Sequence, residues 1–255
     1  MTRKVFIIIA AIFAGASAFG AVGDVISSFP WPNARNAYRD AGYVYCVVGA
    51  NTLQRYTAGG SLVGTVALAG LTAADDADHC VAGTGHMTVL GGGNRIFDYR
   101  ISDGSLLRSY AAPASTTGYA YFPGRAYYFI HSGAYVNRYT TAGSFVSSFL
   151  VSSSAGPIAA TDRFRDQAGV YVVVGSKLSF SATVYTGAGS LVASFLLPAV
   201  TYGCACGPGA PSSRGTTYWC NLRMGAEFFA YQIDLGNTNV AVAPASVGKI
   251  KTLLR

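Results

Sequence analysis

Eleven carboxylates, three histidines and five cysteines are the side chains of this 255-residue chain best suited to chemistry. A nucleophilic triad would need a Ser or Cys beside a His and a carboxylate. His79, His86 and His131 fall in different stretches, and no Gly-x-Ser-x-Gly elbow occurs. Glycoside hydrolysis would need a carboxylate pair; Glu227 is the lone Glu, and Asp40 and Asp166 sit at equivalent turns, where Asx-type bonds explain them. The densest cluster is Asp75-Asp76-Ala77-Asp78-His79. Its oxygens suit calcium, without the spacing of an EF-hand; the competing reading is a solvated acidic loop. Gly91-Gly92-Gly93-Asn94 is followed by no helix opening with Lys-Ser/Thr, so it reads as a hairpin connection rather than a phosphate loop. No residue is assigned a catalytic role, and a non-enzyme is expected.

The cysteines are Cys46, Cys80, Cys204, Cys206 and Cys220. Cys204 or Cys206 could reach Cys220 from an adjacent antiparallel strand, and Cys46 with Cys80 is a looser pairing. The alternative is that several are small buried apolar residues. Disulfides require an oxidising compartment, and the N-terminus suggests one. Arg3 and Lys4 precede the apolar run Val5 to Ala14 and the small-residue site Ala16-Ser17-Ala18, the pattern of a cleaved secretory signal over 1–18. The run is too short for a membrane span. Loss of Arg3 and Lys4 lowers the net charge from +7 to +5, and the remaining cations are scattered. Nucleic-acid binding is therefore not expected, although Arg55 and Arg138 precede equivalent tyrosines. Charged residues make up only 11% against 31 Gly and 17 Tyr, which points to a secreted or surface protein.

The elements that carry these residues repeat. A Tyr, then a Gly, a small polar residue, an apolar pair and a second apolar anchor recur as Tyr56…Gly60-Ser61-Leu62-Val63…Val66 and Tyr99…Gly104-Ser105-Leu106-Leu107…Tyr110. The phrase returns as Tyr139…Gly143-Ser144-Phe145-Val146…Phe149 and Tyr185…Gly189-Ser190-Leu191-Val192…Phe195, and weakly at Tyr231…Gly236. Gly23 and Gly248 open two copies that lack the Tyr. Gly23, Gly60, Gly104, Gly143, Gly189 and Gly236 are 37, 44, 39, 46 and 47 residues apart, near the length of a four-stranded propeller blade. The second and sixth positions after the Gly are apolar, a period of two that places both on the inward face. No segment after Ala18 has a sustained helical period, so the fold is all-β.

The order of elements resembles that of NHL and YVTN-type repeat propellers. Arg39-Asp40-Ala41-Gly42-Tyr43-Val44-Tyr45 and Arg165-Asp166…Gly169-Val170-Tyr171 match their turn and second strand, and the Tyr…Gly…Phe phrase matches the third and fourth. The resemblance implies one domain over 19–255, a propeller of five blades (33–67, 72–111, 116–150, 156–197, 200–243), with six and one incomplete as the alternative. The first strands are poorly written at Asp75 to Ala82 and Tyr202 to Pro208. Two further strands, 24–29 (Val25, Ile26, Phe29) and 248–254 (Ile250, Leu253, Leu254), are left over; one would suffice to close a ring. The expected function is an extracellular structural or recognition module that binds copies of itself, assembling into filaments by terminal-strand addition. A carbohydrate-binding lectin is the alternative, with glycans or other surface proteins as partners, and a propeller lyase or hydrolase is the third reading. No cofactor is expected beyond calcium.

Overall fold

The computed structural model describes residues 22–32, 36–40, 42–79, 85–122, 127–152, 156–165, 167–208, 216–224 and 226–235. Residues 1–18, expected as a leader, and 248–254, expected as a strand, lie outside them. Among the described residues the first element is β1 (Val25–Trp31), followed by four sheets, each antiparallel and written in chain order. The first holds β2 (Tyr38–Asp40), β3 (Tyr43–Val48), β4 (Thr52–Thr57) and β5 (Leu62–Ala67); the second β6 (Ala74–His79), β7 (His86–Gly91), β8 (Arg95–Arg100) and β9 (Leu106–Ala111). The third holds β10 (Thr116–Phe122), β11 (Tyr127–Ser132), β12 (Tyr135–Thr140) and β13 (Phe145–Leu150); the fourth β14 (Ile158–Phe164), β15 (Gln167–Gly175), β16 (Ser181–Thr186) and β17 (Leu191–Leu196). A fifth contains β18 (Val200–Pro208), β19 (Thr216–Met224) and β20 (Glu227–Asp234), completed by β1 in the order β1-β20-β19-β18. The strands β2, β6, β10, β14 and β18 pack on one another around the axis. This is a five-bladed β-propeller with four strands per blade.

Burial follows strand position. The second strands are covered on both faces by neighbouring blades, so β3 and β11 are buried across their four central residues, and their apolar runs are continuous. Five buried clusters occupy the five seams. Tyr45, Leu53, Met87 and Tyr99 fill the first, Leu90, Tyr119 and Tyr128 the second, and Phe129, Val172 and Tyr185 the third. Phe195, Cys204, Tyr218 and Cys220 lie in the fourth, and Phe29, Trp31, Cys46, Tyr56 and Trp219 in the fifth. The repeat tyrosines are thus seam residues: Tyr56 stacks on Trp31 at 5.3 Å, and Tyr185 meets Phe149 of the preceding blade at 5.7 Å.

The repeat glycine does two jobs at the seam. Its turn is fastened by a threonine: Thr57, Thr140 and Thr186 Oγ1 accept from the backbone N–H of Ser61, Ser144 and Ser190 at 3.1, 3.1 and 3.0 Å. Gly60 takes φ +86° in this turn, and a Cβ there would stand 2.6 Å from the Phe29 ring. Gly189 takes φ +93°, with Phe149 Cβ 2.3 Å from where its own would be. The large residue ending one blade's outer strand therefore sits over the glycine turn of the next. Left-handed backbone and ring contact both exclude a side chain.

The first strands, poorly written in the sequence, form as β6 and β18, as four strands per blade require. Two sequence expectations change. The outer place of the last blade, beside β20, is taken by β1, paired from Val25↔Ile233 to Trp31↔Phe228, and 236–243, expected to complete that blade, lies outside the described residues. Val25, Ile26 and Phe29 therefore close the ring within the chain, because Phe29 and Trp31 have a seam to fill and β20 an edge to cover. The second position after the repeat Gly does not face inward either. A β-bulge in each outer strand changes the phase: Tyr56 pairs with Leu62 and Arg55 with Gly64, leaving Val63 extra. Leu107, Val146 and Val192 are the extra residues in β9, β13 and β17.

Candidate functional site: rim, axis and closing blade

The bulges give the rim its chemistry. An outer strand without one would turn alternate residues inward. With one, both members of the apolar pair come to the surface: Leu62 with Val63, Leu106 with Leu107, and Phe145 with Val146. Leu191 is 65% exposed beside the half-buried Val192. Leu150 and Leu196 are exposed at the far ends of β13 and β17. The same bulge, with Ile26 as the extra residue, recurs in β1. All five outer strands, unpaired on one side among the described residues, are therefore irregular at one end, which blunts pairing there, and remain regular beyond it.

The acidic cluster lies on the axis, in a strand rather than a solvated loop. Asp76 is fully buried. Its Oδ2 accepts from Tyr119 N–H at 3.1 Å and Ile158 N–H at 3.2 Å, and its Oδ1 from Ala77 N–H at 3.0 Å. One carboxylate thus ties the second blade to the third and fourth. Burial pushes its pKa well above the ordinary value, against the opposing pull of those N–H groups and the Lys177 charge. Asp78 Oδ2 accepts from Tyr121 N–H at 3.1 Å, and Asp75 is the half-buried extra residue of a bulge. Asp76 and Asp78 carboxylate oxygens are engaged with backbone donors, and no group of three potential metal ligands gathers among the described residues. Asp98 accepts from Thr88 Oγ1 at 2.6 Å and pairs with Arg108.

The remaining candidates are dispersed. His131 is buried between the third and fourth blades, its Nδ1 2.8 Å from Gly156 O, whereas His86 is half-buried at the start of β7. Arg55 and Arg138 each lie 4.9 Å over a tyrosine ring, Tyr43 and Tyr127, at equivalent places in two blades. Cys46, Cys204 and Cys220 are reduced and buried in this structure. Burial pushes the Cys46 and Cys220 thiols far above their usual range. Cys80 and the Cys206 side chain are outside the described residues. Two grooves of about 430 Å³ flank the β19–β20 hairpin and share Glu227 and Phe229. Phe180, Pro198, Arg223 and Met224 line one, and Pro30, Trp31 and Phe228 the other. Arg223 and Glu227 thus border the first groove and Glu227 alone, among charged residues, the second. The sequence signal for these grooves was the isolated Glu227 among aromatics; its partner Phe180, from the preceding blade, has no local signature.

No family model and no curated protein matches the sequence. Solved structures do match by shape. Glutaminyl cyclase from Myxococcus xanthus superposes with a TM-score of 0.61 at 13% identity, over 86% of this chain and 99% of that one. A chain from the complex of BBS1N with ARL6DN gives 0.46 at 14% identity over 80% of this chain, which spans 66% of its length. A chain of the mitotic checkpoint complex gives 0.47 at 8% identity. At these identities the similarity is one of fold.

Proposed function

We propose that the protein is an extracellular structural or recognition module, non-enzymatic and of the NHL-like repeat type, that acts through its rim and has copies of itself as first partner. The observation that carries this is the bulge repeated in every outer strand, which sets an apolar residue on the surface of four consecutive blades, with its exposed neighbour in three of them. Ordinary soluble surfaces scatter such residues singly; regular repetition marks a contact surface. Low charge and high Gly and Tyr content suit a close-packed polymer outside the cell. With β1 used for closure, 248–254 is the one remaining terminal strand of the sequence pattern. It adds to the regular part of a neighbouring copy's outer strand by β-augmentation. Such a contact is heterologous and builds a filament.

The test compares the intact chain with a chain ending at Ala245, by light scattering and electron microscopy. Filaments from the intact chain and monomers from the shorter one are expected. A monomeric intact chain, or equal assembly of both, refutes strand addition. Replacing Leu62, Leu106, Phe145 and Leu191 together by Ser is expected to reduce assembly as well; unchanged assembly of that variant refutes the role of the rim.

A further inference from the structure

We propose that Cys204 and Cys220, unbonded in this structure, form on oxidation a disulfide that fixes the inner hairpin of the closing blade. The two residues are direct partners in the β18–β19 register, and both belong to the buried cluster between the fourth and fifth blades. Directly opposed antiparallel residues have Cα atoms about 4.5–5.5 Å apart, within the roughly 4.4–6.8 Å that a disulfide spans. The sequence left Cys206 as a rival, and the register removes it. Cys206 stands opposite Tyr218, so Cys220 is its diagonal neighbour. Diagonal partners are about 7–8 Å apart, beyond what a disulfide bridges without backbone movement. Cys46 lies across the blade, in the seam against Trp31.

The bond has a structural purpose. The closing blade alone is assembled from both ends of the chain, and β18 and β19 are separated by residues 209–215. A covalent tie holds these two strands in register until β1 arrives to cover β20. The chemistry is thiol–disulfide exchange. One thiolate attacks the disulfide of an oxidant, glutathione disulfide or a protein dithiol oxidase, and releases one reduced thiol. The second cysteine then displaces the other, so two protons and two electrons leave the pair and the oxidant disulfide becomes two thiols. Burial holds the Cys220 thiol protonated once the seam is packed, so oxidation precedes packing and the packed seam afterwards shields the bond.

This inference rests on export to an oxidising compartment, and two measurements separate the premises. Trypsin places Cys204 and Cys206 in the peptide 178–214 and Cys220 in 215–223. Reduced, unfolded protein is refolded in a glutathione redox buffer, alkylated and digested without reductant. The expected product is 178–214 joined to 215–223, retained in Cys206→Ala and lost in Cys204→Ala. The reverse pattern in the variants, or alkylated thiols throughout, overturns the pairing. The same map on protein recovered outside the producing cells is expected to show the same link. Absence of the protein outside the cells overturns export; alkylated cysteines in protein recovered there, with the link formed on refolding, overturn the native bond while the pair geometry stands.

Discussion

Gly60→Ala separates the two reasons for the repeat glycine. Gly42 and Gly60 have nearly the same backbone, φ +88° and +86°, but a Cβ at Gly42 meets nothing within 4 Å whereas at Gly60 it meets Phe29 at 2.6 Å. Gly42→Ala should therefore carry the backbone strain alone, about 1–2 kcal/mol. Gly60→Ala adds an overpacking cost of about 1–3 kcal/mol, for a total of roughly 2–5 kcal/mol. Urea unfolding of both variants measures the difference. Phe29→Ala supplies the cycle: with the ring gone, Gly60→Ala should cost no more than Gly42→Ala. Equal losses for the two glycines in the parent chain, or a Gly60→Ala cost unaffected by Phe29→Ala, would show that the seam contact is not what the glycine serves.

Two further outcomes follow from the seams and the axis. Phe29→Ala alone is expected to cost about 3–5 kcal/mol as a buried aromatic truncation and to make β1 cleavable under limited proteolysis; a resistant β1 would show that closure does not depend on that ring. Asp76→Asn puts an amide where three backbone N–H groups find acceptors, and leaving one of them unsatisfied costs about 1–3 kcal/mol near pH 4. Because the folded pKa of Asp76 is raised, its protonated form favours the fold, with that contribution complete below the unfolded pKa and lost as pH rises through the folded one. The difference between wild type and Asp76→Asn should therefore shrink from pH 4 to pH 9, and a widening gap by urea unfolding would refute the assignment.

What the sequence disclosed follows from the range of the forces involved. The second and third strands were legible because their apolar runs and Gly-bounded hairpins are local, and Tyr43-Val44-Tyr45, matched to a second strand, opens β3. The first strands were obscure because axis positions answer to other blades. Asp76 in β6 reads as a polar interruption until the N–H groups of Tyr119 and Ile158 are placed beside it. Closure by β1 could be foreseen only as one of two spare strands, since its partner β20 is some two hundred residues away in the chain. The cysteine ambiguity was of the same kind: spacing brings Cys204 and Cys206 equally close to Cys220, and only register separates them.

The apolar pair after the repeat glycine is where local reading misled, and the reason bears on function. Alternation alone assigns Leu62 and Leu191 to the core, as it does Val66 and Phe195. The bulge sends the first two to the surface and leaves Phe195 buried. A strand whose only duty was to finish a blade would gain by turning those side chains inward, since burying a leucine contributes about 1.5–3 kcal/mol. Four consecutive blades forgo that gain at the same position, and each keeps a residue larger than alanine there. Protection of a free edge requires the bulge but not the leucines, which a charge or a serine would serve better. The residue type is therefore accounted for by what the rim meets, not by the stability of the blade behind it.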